Sequence, residues 1–256
     1  MATDHPVVEI DGISKFYGKV AALKDVSFTI HPGEVVALVG DNGAGKSTLV
    51  DCLSGVTKPD GGSIRLDGVH ATTLETTTAL DWGVETVYQG LALANDLEPA
   101  LNVYLGRELR MPGLLGRVGM LDRRLMRQRT GDALNKFGVG LSNAQRPVAY
   151  MSGGQRQAVA IARATMWAKR LVLLDEPTAA LGVKQSAIVL NIIRQLKGRG
   201  IAVMVISHNL QEVFSIADRI VVLRLGRVAN VFTTNETTTE QVVSAITGAD
   251  LVERAE

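Results

Sequence analysis

The stretch V-V-A-L-V-G-D-N-G-A-G-K-S-T, Val35 to Thr48, decides how this chain is read. An apolar run from Val35 to Val39 delivers the backbone to a turn of Gly40, Asp41, Asn42, Gly43, Ala44 and Gly45, and the pattern predicts a helix opening at Lys46. Successive N–H groups in such a turn can point inward at an anion, and the helix start adds the positive end of its dipole. The spacing G-x-x-x-x-G-K-[ST] therefore predicts a phosphate-binding loop. Lys46 is placed to reach the β- and γ-phosphates of a nucleotide, and the Ser47 hydroxyl, beside Thr48, to ligate Mg²⁺.

Outward from this loop, strand and helix signals interleave. Residues 7–34 read as short strands, with a turn near Gly18 and a lead-in through His31, Pro32 and Gly33. Beyond the Lys46–Leu53 helix come the strand S-I-R-L-D-G, a helix over 74–82 and a strand from Val84 to Tyr88. From about 90 to 155 the spacing becomes helical without strands, which predicts an inserted helical subdomain. Asp122 there caps a helix with Met126, Ala133, Leu134 and Phe137 on its apolar side, stopped by Gly138. Alternation then resumes: a helix from about Gln155 to Ala168, the strand L-V-L-L-D-E, a helix carrying Ile188, Val189, Ile192, Ile193 and Leu196, and the wholly apolar strand I-A-V-M-V-I-S. A strand that is apolar on both faces argues a covered parallel sheet. A hairpin around Leu225 and Gly226 and a terminal helix over 238–247, within a tail of about 236–256, complete the chain.

Composition narrows the function classes. With 256 residues and 46% of them apolar, the chain can bury a large core. Lys and Arg number 27 against 26 Asp and Glu, so no global basic field would draw nucleic acid or an anionic surface. The single cysteine, Cys52, excludes an internal disulfide and fits a reducing compartment. The start M-A-T-D-H-P-V-V-E-I has no leader pattern, and no apolar run approaches the ~18 residues of a membrane span. Work at a membrane would then go through a partner.

Two further elements carry chemistry. Asp175 and Glu176 close the apolar strand from Leu171, and a carboxylate at such a strand end beside a phosphate loop is where an NTPase holds Mg²⁺. Asp175 takes that role, and Glu176, pointing the other way along the pleat, could accept a proton from the attacking water. In isolation the pair would read as a solvated strand end. The run Met151, Ser152, Gly153, Gly154, Gln155 precedes a helix, with Ser152 a good N-cap and two glycines that permit close approach. One phosphate loop needs one cradle, so a second anion-ready helix start suggests service to a nucleotide held by another copy.

At this point the chain resembles, over nearly its whole length, the nucleotide-binding subunit of ATP-binding-cassette (ABC) transporters. G-D-N-G-A-G-K-S-T resembles that family's Walker A, Gln89 in V-Y-Q-G its glutamine loop, M-S-G-G-Q at 151–155 its signature, L-V-L-L-D-E its Walker B with catalytic glutamate, and His208 in I-S-H-N its switch histidine; Tyr17 stands where its adenine-stacking aromatic lies. Singly, Tyr17 reads as a strand aromatic, Gln89 as a surface amide and His208 as a helix-capping residue, and it is their placement after strands at the same end of the sheet that favours the functional reading. The resemblance implies an α/β P-loop NTPase, with a mainly parallel sheet, an N-terminal antiparallel β subdomain and the helical insert. It further implies ATP and Mg²⁺ as ligands, Gln89 in the Mg²⁺ sphere, His208 at the γ-phosphate, and Lys46, Glu176 and His208 as the catalytic set.

The segment after Walker B departs from the family pattern S-A-L-D: Ala179, Ala180, Leu181 and Gly182 stand there, without the aspartate. T-A-A-L-G-V-K and the arginine-rich segment Leu105–Arg124 nevertheless resemble the branch that imports ribose, xylose and fructose. For that branch the resemblance implies a homodimer, transmembrane permease subunits, an extracytoplasmic sugar-binding protein, and a place on the cytoplasmic face of the plasma membrane. A soluble non-transport ABC ATPase acting on nucleic acid or ribosomes, and an exporter subunit, are the alternatives. The balanced charge speaks against a nucleic-acid partner.

Overall fold

A computed structural model describes residues 5–70, 75–136, 145–179 and 181–249. Its elements in chain order are β1 (Val8–Tyr17), β2 (Val20–Ile30), β3 (Val35–Val39), α1 (Lys46–Leu53), β4 (Gly61–Leu66), β5 (Val69–His70), α2 (Thr76–Asp81) and β6 (Val84–Val87). The helices α3 (Pro99–Val103), α4 (Leu114–Arg117), α5 (Arg123–Lys136) and α6 (Gly153–Trp167) follow. Then come β7 (Leu171–Asp175), α7 (Val183–Gly198), β8 (Ala202–Ile206), α8 (Leu210–Ile216), β9 (Arg219–Arg224), β10 (Arg227–Thr233) and α9 (Thr239–Thr247).

The strands form two sheets. One is antiparallel, in the order β2-β1-β4-β5; the other runs β10-β9-β3-β8-β7-β6, parallel except for the edge hairpin β9–β10. The first 30 residues hold two long strands instead of several short ones, because β1 absorbs register shifts at Ile10 to Ile13 and again near Lys15 without ending. Sequence spacing leaves open that β4 would join this sheet, pairing Val8 with Leu66 and Ile10 with Ile64.

The pleat of the parallel sheet sorts its side chains into two cores. Val36 and Leu38 of β3, Leu171 and Leu173 of β7, and Met204 of β8 join a cluster with the antiparallel sheet and α1. Their neighbours Val35, Ala37, Val172, Leu174, Val203 and Val205 pack on the opposite side against α6, α7 and α9. Period-two alternation between two apolar layers is why these strands carry no polar face. A third cluster joins Ala100, Val103, Tyr104, Met126 and Leu134 to Val159 and Ala162. Helix α6 thus has one face on the sheet, through Ala160, Ile161 and Ala164, and another in the helical layer.

Local signals hold at the ends of several helices. Asp122 Oδ1 accepts from the N–H of Leu125 at 2.9 Å and caps α5, on which Met126 and Leu134 are buried and Ala133 is half-buried. The expected stop at Phe137 and Gly138 lies outside the described residues, as do Ala180 and the tail from 250. Asp218 anchors the start of β3 by accepting from Val35 N–H at 2.9 Å while its other oxygen meets Lys197 of α7. Cys52 is buried on α1, and burial pushes its thiol up to about 11, which leaves it inert at neutral pH. Among the described residues no helix is long and apolar enough to cross a membrane.

Candidate nucleotide-binding site

The site lies at the carboxyl ends of β3, β7 and β8, where open α/β sheets receive their ligands. Register fixes this: Leu38 and Asp175 both stand beside Ile206, so the phosphate loop after β3 and the carboxylates after β7 reach the same level. The loop demands glycine at two places by close backbone approach. A Cβ on Gly40 (φ 151°) would lie 2.1 Å from the carbonyl oxygen of Leu223, and one on Gly45 (φ 106°) 2.4 Å from that of Ala22. Gly45 is also the N-cap of α1 and supplies no side-chain acceptor, so the first N–H groups of that helix are left to whatever enters the cleft. Lys46 folds back over the loop, its Nζ donating to the carbonyls of Gly40 at 2.7 Å and Asp41 at 2.9 Å.

A cleft of about 480 Å³ collects most of the residues singled out from sequence: Tyr17, Asn42, Gly43, Gly45 to Thr48, Gln89, Asp175, Glu176 and His208. Gly40, Asp41 and Ala44 do not line it. Gly40 and Asp41 serve through their carbonyls, and Ala44 is buried beneath the loop, its carbonyl accepting from Gly226 N–H at 3.1 Å. Tyr17 stands half exposed at the rim with Lys15 Nζ 5.7 Å from its ring centre. Val20, Ala22 and Ile206 also line the cleft, and nothing in their residue types had pointed there.

The two carboxylates sit in different surroundings. Asp175 is 9% exposed, and burial pushes its carboxyl above the usual range. Nearby Glu176 adds to that rise, while Lys46 and the Ser47 hydroxyl oppose it. Glu176 follows β7 in a left-handed backbone conformation (φ 50°), held by its N–H to the carbonyl of Ile206 at 3.0 Å. Its Oε2 lies 2.7 Å from Nδ1 of the exposed His208, yet this buried oxygen has no aligned donor, so the two side chains are in close contact without a hydrogen bond.

Ser152 to Gln155 stand outside this cleft. Ser152 caps α6 in a reciprocal box: its Oγ accepts from Gln155 N–H at 3.3 Å, and Gln155 Oε1 accepts from Ser152 N–H at 3.0 Å. Ser152 and Gly153 are exposed, and Gly154 packs toward Gln185 and Leu181 at the start of α7. Gly182, the N-cap of α7, has extended backbone (φ −76°, ψ 166°) that any residue adopts and no side chain to cap the helix. One ion pair that sequence spacing could not locate lies outside the cleft: buried Glu85 of β6 meets Arg107 at 2.6 Å, and Arg107 lies over the Trp167 ring at 5.1 Å.

The ABC transporter family model matches residues 23–179. The chain is 44% identical over 246 residues, 95% of each chain, to the fructose import ATP-binding protein FrcA of Rhizobium meliloti. It is 39% identical, with 94% of each chain covered, to the xylose/arabinose import ATP-binding protein XylG of Sulfolobus acidocaldarius. Among solved structures, the ATP-binding cassette MJ0796, a dimer in a post-hydrolysis state bound to ADP and Pi, superposes with a TM-score of 0.77 at 26% identity, covering 89% of this chain and 98% of that one. A phosphate loop and a carboxylate pair at the same end of the sheet, with the capped M-S-G-G-Q helix start outside their cleft, lie inside a span shared with these proteins, and the chain belongs to the ABC transporter family.

Proposed function

We propose that this chain is the ATP-hydrolysing subunit of a membrane ABC importer for a simple sugar, acting as a pair of identical copies beneath separate permease subunits. The observation that carries this reading is the division of the motif residues. Lys46, Ser47, Gln89, Asp175, Glu176 and His208 share one cleft, whereas the capped helix start at Ser152 stays outside it. An exposed, anion-ready helix end outside the cleft of its own chain fits a nucleotide on a second copy.

The residues present suit ATP and Mg²⁺. Loop N–H groups and the α1 terminus take the phosphates, and Lys46 exchanges two neutral carbonyls for charged oxygens, a stronger class of hydrogen bond. Ser47, Asp175 and Gln89 would hold Mg²⁺. Among the described residues no three His, Cys, Asp or Glu side chains gather as a metal cage. A Mg²⁺ site needs none, since this ion keeps waters and shares phosphate oxygens. When bound, Mg²⁺ offsets charge on the phosphates. Glu176 takes a proton from the attacking water as its oxygen bonds to the γ-phosphorus and the bond to the β-phosphate oxygen breaks, giving ADP and phosphate. His208, exposed beside that carboxylate, supplies a donor where negative charge grows.

Sugar import follows from the relatives that share its length and is tied to partners outside the chain, a permease and an extracytoplasmic binding protein. The chain would then sit on the cytoplasmic face of the plasma membrane. A balance of 27 basic against 26 acidic residues favours this over a nucleic-acid role, which salt-dependent retention of RNA or DNA would restore. The test is steady-state ATP turnover with nucleotide titration of wild type and Glu176→Gln, together with affinity purification from membranes of the source cell. Glu176→Gln is expected to retain nucleotide affinity and lose at least ~100-fold in turnover, within the range of a general base, and a polytopic membrane protein should co-purify. Near-normal turnover would remove Glu176 as the base, and a chain that binds no nucleotide would end the ATPase reading.

A further inference from the structure

The turn that follows β6 is strained, and a side chain from α6 holds it. Leu91 (φ 62°) and Ala92 (φ 47°) are consecutive non-glycine residues in the left-handed region. Ala92 N–H donates to the carbonyl of Gly90 at 2.8 Å across Leu91, and Leu91 N–H to that of Tyr88 at 2.8 Å. A two-residue closure over a positive φ is the rare, strained form of γ-turn, and it persists only where its surroundings over-determine it. Two residues from its centre stands Gln89, on the wall of the nucleotide cleft.

The over-determining group is Arg163. Its Nη1 donates to the carbonyl of Ala92 at 2.7 Å and its Nη2 to that of Leu91 at 3.2 Å. Both carbonyls point to one guanidinium, whose fixed fork can engage two successive acceptors as a single ammonium cannot. Burial disfavours the Arg163 cation, and Glu85 of β6 partly compensates. Arg163 lies ten residues after Gly153 on the same uninterrupted helix, about 15 Å along its axis.

We propose that Arg163 is a positioning residue that clamps the Gly90–Ala92 turn, thereby setting where Gln89 stands and making α6 a rigid link from the Ser152 helix start to the cleft. The proposal rests on the ATPase reading above. A contact made at Ser152 by another copy is passed to Gln89 as a displacement of α6, because the clamp leaves the turn no freedom to absorb it.

Two measurements test it on Arg163→Ala, Arg163→Lys and the double variant Arg163→Ala/Leu91→Gly. In steady-state turnover, Arg163→Ala is expected to lose roughly tenfold to a hundredfold in kcat, the scale of a small misplacement of a catalytic group. KM for ATP should move less than twofold and half-saturating Mg²⁺ should rise. Arg163→Lys should fall between, and it carries the test where alanine prevents folding. Glycine takes positive φ without strain, so Leu91→Gly in the Arg163→Ala background should restore most of the lost kcat. Unchanged kcat in both single variants, or a loss that glycine does not restore, overturns the proposal. Amide exchange of the 88–93 segment without nucleotide supplies the independent arm: release of the clamp should speed it at least tenfold, and unchanged exchange overturns the proposal even if the chain is not an ATPase. A wild type that neither binds nor hydrolyses ATP, with exchange responding as expected, instead removes the functional reading alone.

Discussion

Asp175 is a carboxylate kept where its charge is disfavoured. Burial and the neighbouring Glu176 raise its folded-state pKa above 3.8, its value in the unfolded chain. The native state therefore binds more protons than the unfolded one between the two values, and stability falls as pH rises through the folded pKa. At neutral pH the ionised group is a standing cost to the fold. Asp175→Asn keeps the shape and removes the charge, so the melting temperature at pH 7 should rise by roughly 2–4 °C, the equivalent of about 1 kcal/mol for a chain of this size. The gain should vanish below pH 4, while Mg²⁺-dependent turnover is lost at every pH. Calorimetry across pH 3 to 8 checks this, and a drop in stability at pH 7 would mean that the carboxylate is structurally paired. Lys46 makes the complementary case: alanine removes two bonds from the ammonium to neutral, partly solvated carbonyls in the ligand-free loop, but bonds from it to phosphate oxygens in the bound one. Melting should barely move, and nucleotide affinity should fall at least tenfold, as losing a charge-assisted bond of ~1.5–3 kcal/mol requires. Equal affinity in a nucleotide titration would sink the phosphate-loop assignment.

At the scale of the element, the opening of α7 is under-capped. Gly182 holds the extended backbone that Asp prefers at an N-cap, and a Cβ there would meet only Gln185 Oε1 at 3.0 Å, the movable end of a side chain. Gly182→Asp should therefore gain a few tenths of a kcal/mol from the cap and a comparable amount from the helix dipole, about 1–3 °C in melting temperature. Thermal melts that show a loss would mean the Gln185 side chain cannot give way. This helix start also marks what is legible in sequence. The β3–loop–α1 unit, the Asp122 cap and the apolar face of α7 are written in short-range spacing, and each element falls within a residue or two of its expectation. Pairing between distant strands is not so written: β4 joins β1 through residues 47 to 58 positions apart, and no local signal chooses that neighbour over another. The site divides the same way. Lys46 and Asp175 announce themselves by motif, whereas the Arg163 fork and the Glu85–Arg107 pair depend on side chains meeting across layers. The positive φ of Glu176, Leu91 and Ala92 has no compositional trace, since these are residues that avoid it.

At the scale of the whole molecule, the phosphate loop opens to the cleft and the capped helix start at Ser152 stands outside it, which on the proposed reading makes them two incomplete half-sites on one chain. In the proposed pair, opposed copies related by a two-fold axis would complete both at once, and a triphosphate would then favour the closed pair by contacts the open chain does not offer. Hydrolysis and phosphate loss would withdraw that difference, so that closure and reopening of the proposed pair follow the chemistry. The sharpest probe is a substitution that leaves the single chain intact and harms only the pair. Ser152→Asp does so, because aspartate caps a helix about as well as serine and the melting temperature should stay within about 1 °C. Nucleotide affinity of the monomer should likewise be unchanged, since Ser152 lies outside its own cleft. In the Glu176→Gln background ATP should drive dimer formation in sedimentation, and adding Ser152→Asp should weaken it at least tenfold, because a fixed carboxylate would face phosphate oxygens across the interface, a like-charge juxtaposition worth several kcal/mol. If Ser152→Asp dimers assemble at the same ATP and protein concentrations as their parent, the exposed end of α6 does not face a partner's nucleotide, and the paired arrangement falls with it.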